Sequence, residues 1–172
     1  MAQDDPSGKE VPSARDASAR ALAAAEELGL HYTVTRHGPV RSLEEAAAAR
    51  GLPPRAVVKT IVVRLSADDY RFVLVPGDRE IAWPRLRALL GVNRMSMPDK
   101  DTAFAVTGYV RGTITPLGST TAWPVVADQR LDGTVSLGAG APGVAVSVDA
   151  AELVAALGAT VADVTDPVAV GG

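Results

Sequence analysis

The densest apolar run in the chain is Ala56-Val57-Val58-Lys59-Thr60-Ile61-Val62-Val63-Arg64-Leu65, and it is rich in β-branched residues. Such a run predicts an inner strand, and alternate residues of a strand share a face. Lys59 therefore stands in line with Val57, Ile61 and Val63, on the face expected to be buried. Upstream, Ala21, Leu22, Ala25 and Leu28 recur at helical spacing, which predicts a helix over Asp16 to Leu28 that Gly29 stops. His31 to Arg36 alternates as a strand and ends at Gly38-Pro39. Ser42-Leu43-Glu44-Glu45 has the form of a capping box, and Gly51 closes the short helix that follows.

Downstream of Lys59, Ser66-Ala67-Asp68-Asp69 supplies a turn and Tyr70 to Val75 returns, so the pair reads as a hairpin. Pro76-Gly77-Asp78 breaks the chain. Trp83 to Leu90 predicts a helix, Val92 to Met97 a short strand, and Pro98 to Val106 a further helix. Residues 107–118 carry three glycines and a proline and read as an ordered loop. Val125 to Asp128, Gly133 to Leu137 and Val144 to Val148 predict strands, Asp149 caps a helix through Leu157, and Thr160 to Val164 is a last strand. Strands and helices mix without strict βαβ alternation. The expected class is mixed α/β: a mixed sheet curled towards a barrel and flanked by helices. Residues 1–15, with two prolines, a glycine and many charges, read as a disordered tail, and residues 16–168 as a single domain.

Composition narrows the chemistry. The absence of cysteine excludes disulfides, thiolate metal sites and cysteine nucleophiles. Two histidines, His31 and His37, are too few for a multi-histidine metal centre, and no cofactor is called for. No apolar stretch approaches the roughly 20 residues of a membrane span, and the amino terminus is not signal-like, so a soluble, cytoplasmic protein is expected. A net charge of −3 argues against nonspecific coating of nucleic acid. It leaves room for a local basic patch, since Arg36, Arg41, Arg50, Arg55, Arg64 and Arg71 surround Lys59 in sequence; the plainer reading of such a run is a solvated face.

Lys59 is one of only three lysines against fourteen arginines. An unpaired ammonium in an apolar strand loses hydration worth several kcal/mol, so it is paired, drawn to an edge, or retained for chemistry. A gatekeeper on a sheet edge is the plainer alternative. Other sites are absent: the glycine loop lacks the ending of a phosphate-binding P-loop, no GxGxxG opens a helix, and no GxSxG elbow occurs. What remains is Lys59 and the loop from Gly108 to Gly118, where glycines let main-chain N–H groups approach a carbonyl or an anion. By itself the loop reads more simply as a rigid turn, since glycine and proline are the ordinary residues of tight turns.

Val58-Lys59-Thr60-Ile61-Val62, then Val75-Pro76-Gly77-Asp78, then Thr107-Gly108-Tyr109 with Gly112 and Thr115-Pro116-Leu117-Gly118, in this order, resemble the YbaK/ProX aminoacyl-tRNA deacylase family. The likeness runs from about Ala19 to Pro167. It implies a mixed sheet with surrounding helices, and hydrolysis of the ester that joins a wrong amino acid to transfer RNA. It also implies that Lys59 is the key lysine and that Gly112, Thr113, Ile114, Thr115, Pro116, Leu117 and Gly118 form the substrate loop, with Thr60, His37, Gly108, Tyr109 and Gly140 nearby. Loop amides would grip the carbonyl, Lys59 would fix the ribose or phosphate and steady developing charge, and water would attack. In relatives acting on cysteinyl substrates, a group of the bound amino acid assists.

The family's usual GGxSPLG stands here as Gly112-Thr113-Ile114-Thr115-Pro116-Leu117-Gly118, so Thr113 and Thr115 are expected to narrow the pocket. Thr35-Arg36 precedes His37 where relatives often carry an aromatic or acidic residue, and Ala141-Pro142 replaces basic residues at the second glycine turn. His37 either lines the site or is a hydrogen-bonded strand-end histidine. The implied partner is mischarged tRNA, with cysteine or alanine on proline tRNA as the leading substrates and prolyl-tRNA synthetase as a possible associate. The alternative from another class is a non-catalytic module that holds an aminoacyl or nucleotide group for a synthetase.

Overall fold

The computed structural model describes residues 13–169. The tail expected over residues 1–15 falls outside that range up to residue 12. Ala14 and Arg15 already belong to the first helix, α1 (Ala14–Glu27), because the Ser13 hydroxyl caps it by accepting from the Asp16 N–H at 3.2 Å.

In chain order the remaining elements are β1 (Tyr32–Arg36), α2 (Leu43–Arg50), β2 (Val58–Ser66), β3 (Asp69–Pro76), β4 (Arg79–Ile81), α3 (Trp83–Leu90), α4 (Lys100–Thr107), β5 (Val125–Asp128), β6 (Thr134–Gly138), β7 (Val144–Asp149), α5 (Ala150–Leu157), β8 (Thr160–Ala162) and β9 (Thr165–Pro167). A turn of 3-10 helix, Pro54–Ala56, leads into β2. Three sheets have the orders β1-β7-β6, β2-β3-β5-β8 and β4-β9. The second is mixed: β2 and β3 are antiparallel, whereas β3-β5 and β5-β8 are parallel. A parallel bridge between Val57 and Ser136 links it to the first sheet, and the whole is the mixed α/β arrangement of strands and helices that the sequence predicts.

Two expectations are corrected. Val92 to Met97 forms no strand; the chain bends at Asn93, and only Ser96 pairs, bridging Arg64. The run around Lys59 is not an inner strand but the edge of its sheet. Its apolar density has a different cause, because both faces are covered. Val58 and Val62 enter one core with Phe72, Leu74, Ala127 and Leu137, whereas Val63 enters a second with Val73, Val75, Ile81 and Leu86. Hydrophobicity reports covered faces and is silent about a free edge. The short strands β4 and β9 went unpredicted, since three residues show no period.

Candidate active site

The edge of β2 forms one wall of a cavity of about 320 Å³. Its other walls are the last residue of α2 (Arg50), the start of α4 with the residues before it (Met97, Pro98, Lys100), the loop residues Arg111, Gly112 and Ile114, and Gly138 of β6. Local sequence fixes each wall. Ser42 accepts from the Glu45 N–H at 3.1 Å and Gly51 closes α2 in the left-handed region, which sets Arg50 in the last turn. The Glu45 carboxylate accepts from the Arg41 N–H at 2.6 Å, one residue before the position of an ordinary capping box. Asp99 caps α4 by accepting from the Thr102 N–H at 2.8 Å, and so sets Lys100 at the rim.

Arg64 exchanges main-chain hydrogen bonds with Ser96, at 2.7 and 3.1 Å. By strand alternation the main-chain groups of Thr60 and Val62 leave β2 on the same side, towards the cavity. Between the Ser136 and Ser96 bridges this edge has no strand partner among the described residues. The cavity is therefore floored by main-chain donors and acceptors of β2 as well as by the glycine loop.

Lys59 lines this cavity together with Gly112 and Ile114, but its ammonium is turned to the far side of β2 and donates to the Arg79 carbonyl. There it also borders a shallower depression with Glu80, Ile81 and Trp83. Burial lowers the pKa of Lys59 from its ordinary value, and the charges of Glu80 and Asp78 oppose that fall. Thr60 lines the cavity, and its hydroxyl oxygen is buried with no hydrogen-bond partner among the described residues.

The other predicted residues divide. Gly112 and Ile114 face the cavity; Gly108, Tyr109, Thr113, Thr115, Pro116, Leu117, Gly118, Gly140 and His37 do not line it. Tyr109 is buried and donates its O–H to the Leu117 carbonyl at 2.6 Å. Thr115 is buried with its hydroxyl accepting from the Leu117 N–H, and the Thr113 hydroxyl donates to the Val110 carbonyl at 2.6 Å. The two threonines therefore knit the loop to itself and do not narrow the cavity. Gly108 and Gly118 present carbonyls to Arg20 of α1, at 3.0 and 2.8 Å. Gly140 donates its N–H to the Thr113 carbonyl at 3.1 Å and packs on Tyr109. His37 takes the strand-end reading: its N–H donates to the Gly143 carbonyl and Nδ1 lies 2.8 Å from the Gly38 carbonyl.

The sequence does not point to Arg20, Lys100 or Arg111. Arg50 stands in the basic run around Lys59, whose plainer reading is a solvated face, yet it lines the cavity. Arg20 sits on a helix 88 residues before its partner Gly108.

The aminoacyl-tRNA editing domain family matches residues 37–156, a span that contains Lys59, Thr60 and the whole glycine loop. The chain belongs to the aminoacyl-tRNA editing domain family. Deacylation of aminoacyl-tRNA is the activity that goes with this family. Among relatives, a proline–tRNA ligase of Thermosipho africanus is 33% identical over 80 residues, 46% of this chain and 14% of the ligase. A proline–tRNA ligase of Desulfovibrio desulfuricans is 36% identical over 92 residues, 54% of this chain and 16% of the ligase. The matched part of this chain thus corresponds to about one-seventh of the length of such ligases. A crystal structure described as a candidate trans-editing enzyme for prolyl-tRNA synthetase has 26% identity and a TM-score of 0.79, covering 92% of this chain and 99% of that one. Among the described residues no helix is long and apolar enough to cross a membrane.

Proposed function

We propose that this editing domain acts in trans on mischarged proline tRNA, with cysteine or alanine as the amino acid removed and prolyl-tRNA synthetase as the enzyme it serves. The observation that carries the reading is the shared cavity of Lys59, Thr60, Gly112 and Ile114 in a chain of this family. A space of about 320 Å³ admits a small acyl group with its ribose and excludes a helical stem. Lys100 and Arg111, both exposed at the rim, suit the phosphates of the incoming 3′ strand. Water attacks the ester carbonyl while main-chain donors hold its oxygen, and no side-chain nucleophile is needed.

Lys59 acts in this scheme through position and field: its ammonium holds the Arg79 carbonyl behind the β2 edge and keeps a positive charge next to the cavity. Selection of a small acyl group follows from cavity size, and a difference of one methylene is worth about 1–3 kcal/mol, which suits a second sieve after aminoacylation. The test is release of amino acid from a panel of charged tRNAs that includes Cys-tRNA(Pro), Ala-tRNA(Pro) and correctly charged Pro-tRNA(Pro). The reading requires turnover of a mischarged species and little of the correct one. Tight binding without turnover on any charged tRNA would instead establish the non-catalytic module.

A further inference from the structure

We propose that Arg50 faces the acyl carbonyl of the bound ester and takes up the negative charge of the tetrahedral intermediate. This rests on the deacylase reading above and assigns the cation that such a step requires. Arg50 lines the cavity beside Val57, Thr60 and Gly138, and its one side-chain hydrogen bond runs from Nη1 to the Ser136 hydroxyl, a long 3.4 Å. Its Nε is buried with no partner among the described residues, and Arg50 forms no ion pair there. A guanidinium has five N–H donors in a fixed fork and stays charged in proteins, so donors left unfilled against an apolar wall await an acceptor.

The other cations are placed for different tasks. Lys59 has given its ammonium to the Arg79 carbonyl and lies beside Asp78 and Glu80, whereas Lys100 and Arg111 stand exposed at the rim. Burial also lowers the pKa of Arg50 from its ordinary value, the mark of a charge deprived of water and not yet repaid by a partner. An aminoacyl 3′ end enters acyl group first, because the stem behind it does not fit, and the acyl group then shares the cavity with the half-buried Arg50.

The step balances without any further reagent. Water adds to the carbonyl carbon, the C=O electron pair moves to oxygen, and the Arg50 N–H groups join the main-chain donors in bonding that oxygen. Collapse re-forms C=O and breaks the bond to the ribose oxygen, which leaves with a proton from the added water. The products are a ribose hydroxyl, a proton and the amino-acid carboxylate, itself a ligand for the same guanidinium.

The experiment compares the full chain with Arg50→Ala and Arg50→Lys on whichever charged tRNA the wild type hydrolyses. Loss of one preorganised donor to an oxyanion is expected to lower kcat about 100-fold in Arg50→Ala with KM changed less than about threefold, and Arg50→Lys to recover part of it. Guanidinium chloride added to Arg50→Ala is expected to restore turnover where the same concentration of ammonium chloride does not, a rescue that a purely structural role would not give. Unchanged kcat in Arg50→Ala, a change in KM alone, or no rescue in a variant whose melting curve matches the wild type overturns the assignment and leaves the deacylase reading standing. Should Arg50→Ala fail to fold, Arg50→Lys with unchanged kcat overturns it equally. Absence of wild-type turnover on every charged tRNA overturns the deacylase reading first and this assignment with it.

Discussion

Arg20 donates its Nε–H to the Gly118 carbonyl at 2.8 Å, so the first helix holds the last glycine of a loop 98 residues further along the chain. The same guanidinium donates to the Gly108 carbonyl at 3.0 Å and lies 4.6 Å from the centre of the Tyr109 ring. One side chain thereby ties both ends of the loop that walls the cavity.

Arg20→Ala is expected to lower stability by about 1–2 kcal/mol, since it leaves two half-buried carbonyls without their donor and removes a cation over an aromatic face. Chemical denaturation measures this. Deacylation should fall as well, because Gly112 and Ile114 hang from the tethered segment. A variant with unchanged stability and rate would show that the loop is held without Arg20.

Lys59→Ala is expected to lower the deacylation rate about 100-fold by removing the positive charge beside the cavity. Its stability should stay close to that of the wild type, because an ammonium whose native pKa is depressed by burial is disfavoured there in its charged form. A rate assay paired with a melting curve reads both, and a retained rate would remove Lys59 from the mechanism.

Gly140 and Gly112 should respond differently to alanine. Both have positive φ, +87° and +91°. A Cβ on Gly140 would lie 2.7 Å from Tyr109 Cε1 and 2.8 Å from the Ala17 carbonyl oxygen, whereas a Cβ on Gly112 meets nothing within 4 Å. Gly112→Ala should therefore cost only the backbone term of about 1–2 kcal/mol, and Gly140→Ala more than that because α1 must also shift. Gly112→Val would project into the cavity and block substrate; equal melting temperatures for the two alanine variants would contradict the packing.

Acid should weaken the fold. The hydrogen bond from Arg130 holds the Asp163 carboxyl below its ordinary pKa, the Thr102 main chain does the same for Asp99, and the His31 main chain for Glu152. A carboxylate with a depressed native value adds stability that is present above its unfolded value and lost as pH falls through the native one. Melting temperature should accordingly drop from about pH 4 downward. Arg130→Ala should flatten that drop, and an unchanged profile would exclude the Asp163 contribution.

Local signals in the chain determined most of the elements by themselves. Trp83 to Leu90, the helix capped by Asp149 and the hairpin at Asp68-Asp69 follow from caps, turns and periodicity, which act within a few residues. The ordered motifs around Lys59, Gly77 and Gly112 likewise announced the family before any coordinates. What tertiary structure alone decided is which backbone is left unpaired and where a long side chain ends. β2 reads as interior because both its faces are covered, yet its edge is open, and edge pairing is set by strands distant in sequence. The same holds for the side chains: Lys59 bends to Arg79 across the strand, Tyr109 and Thr115 turn inward to bond Leu117, and Arg50, unremarkable at the end of an alanine helix, is left with unfilled donors beside the cavity. Spacing along a chain fixes the direction of Cβ; the partner at the end of a flexible side chain depends on what the fold brings within reach.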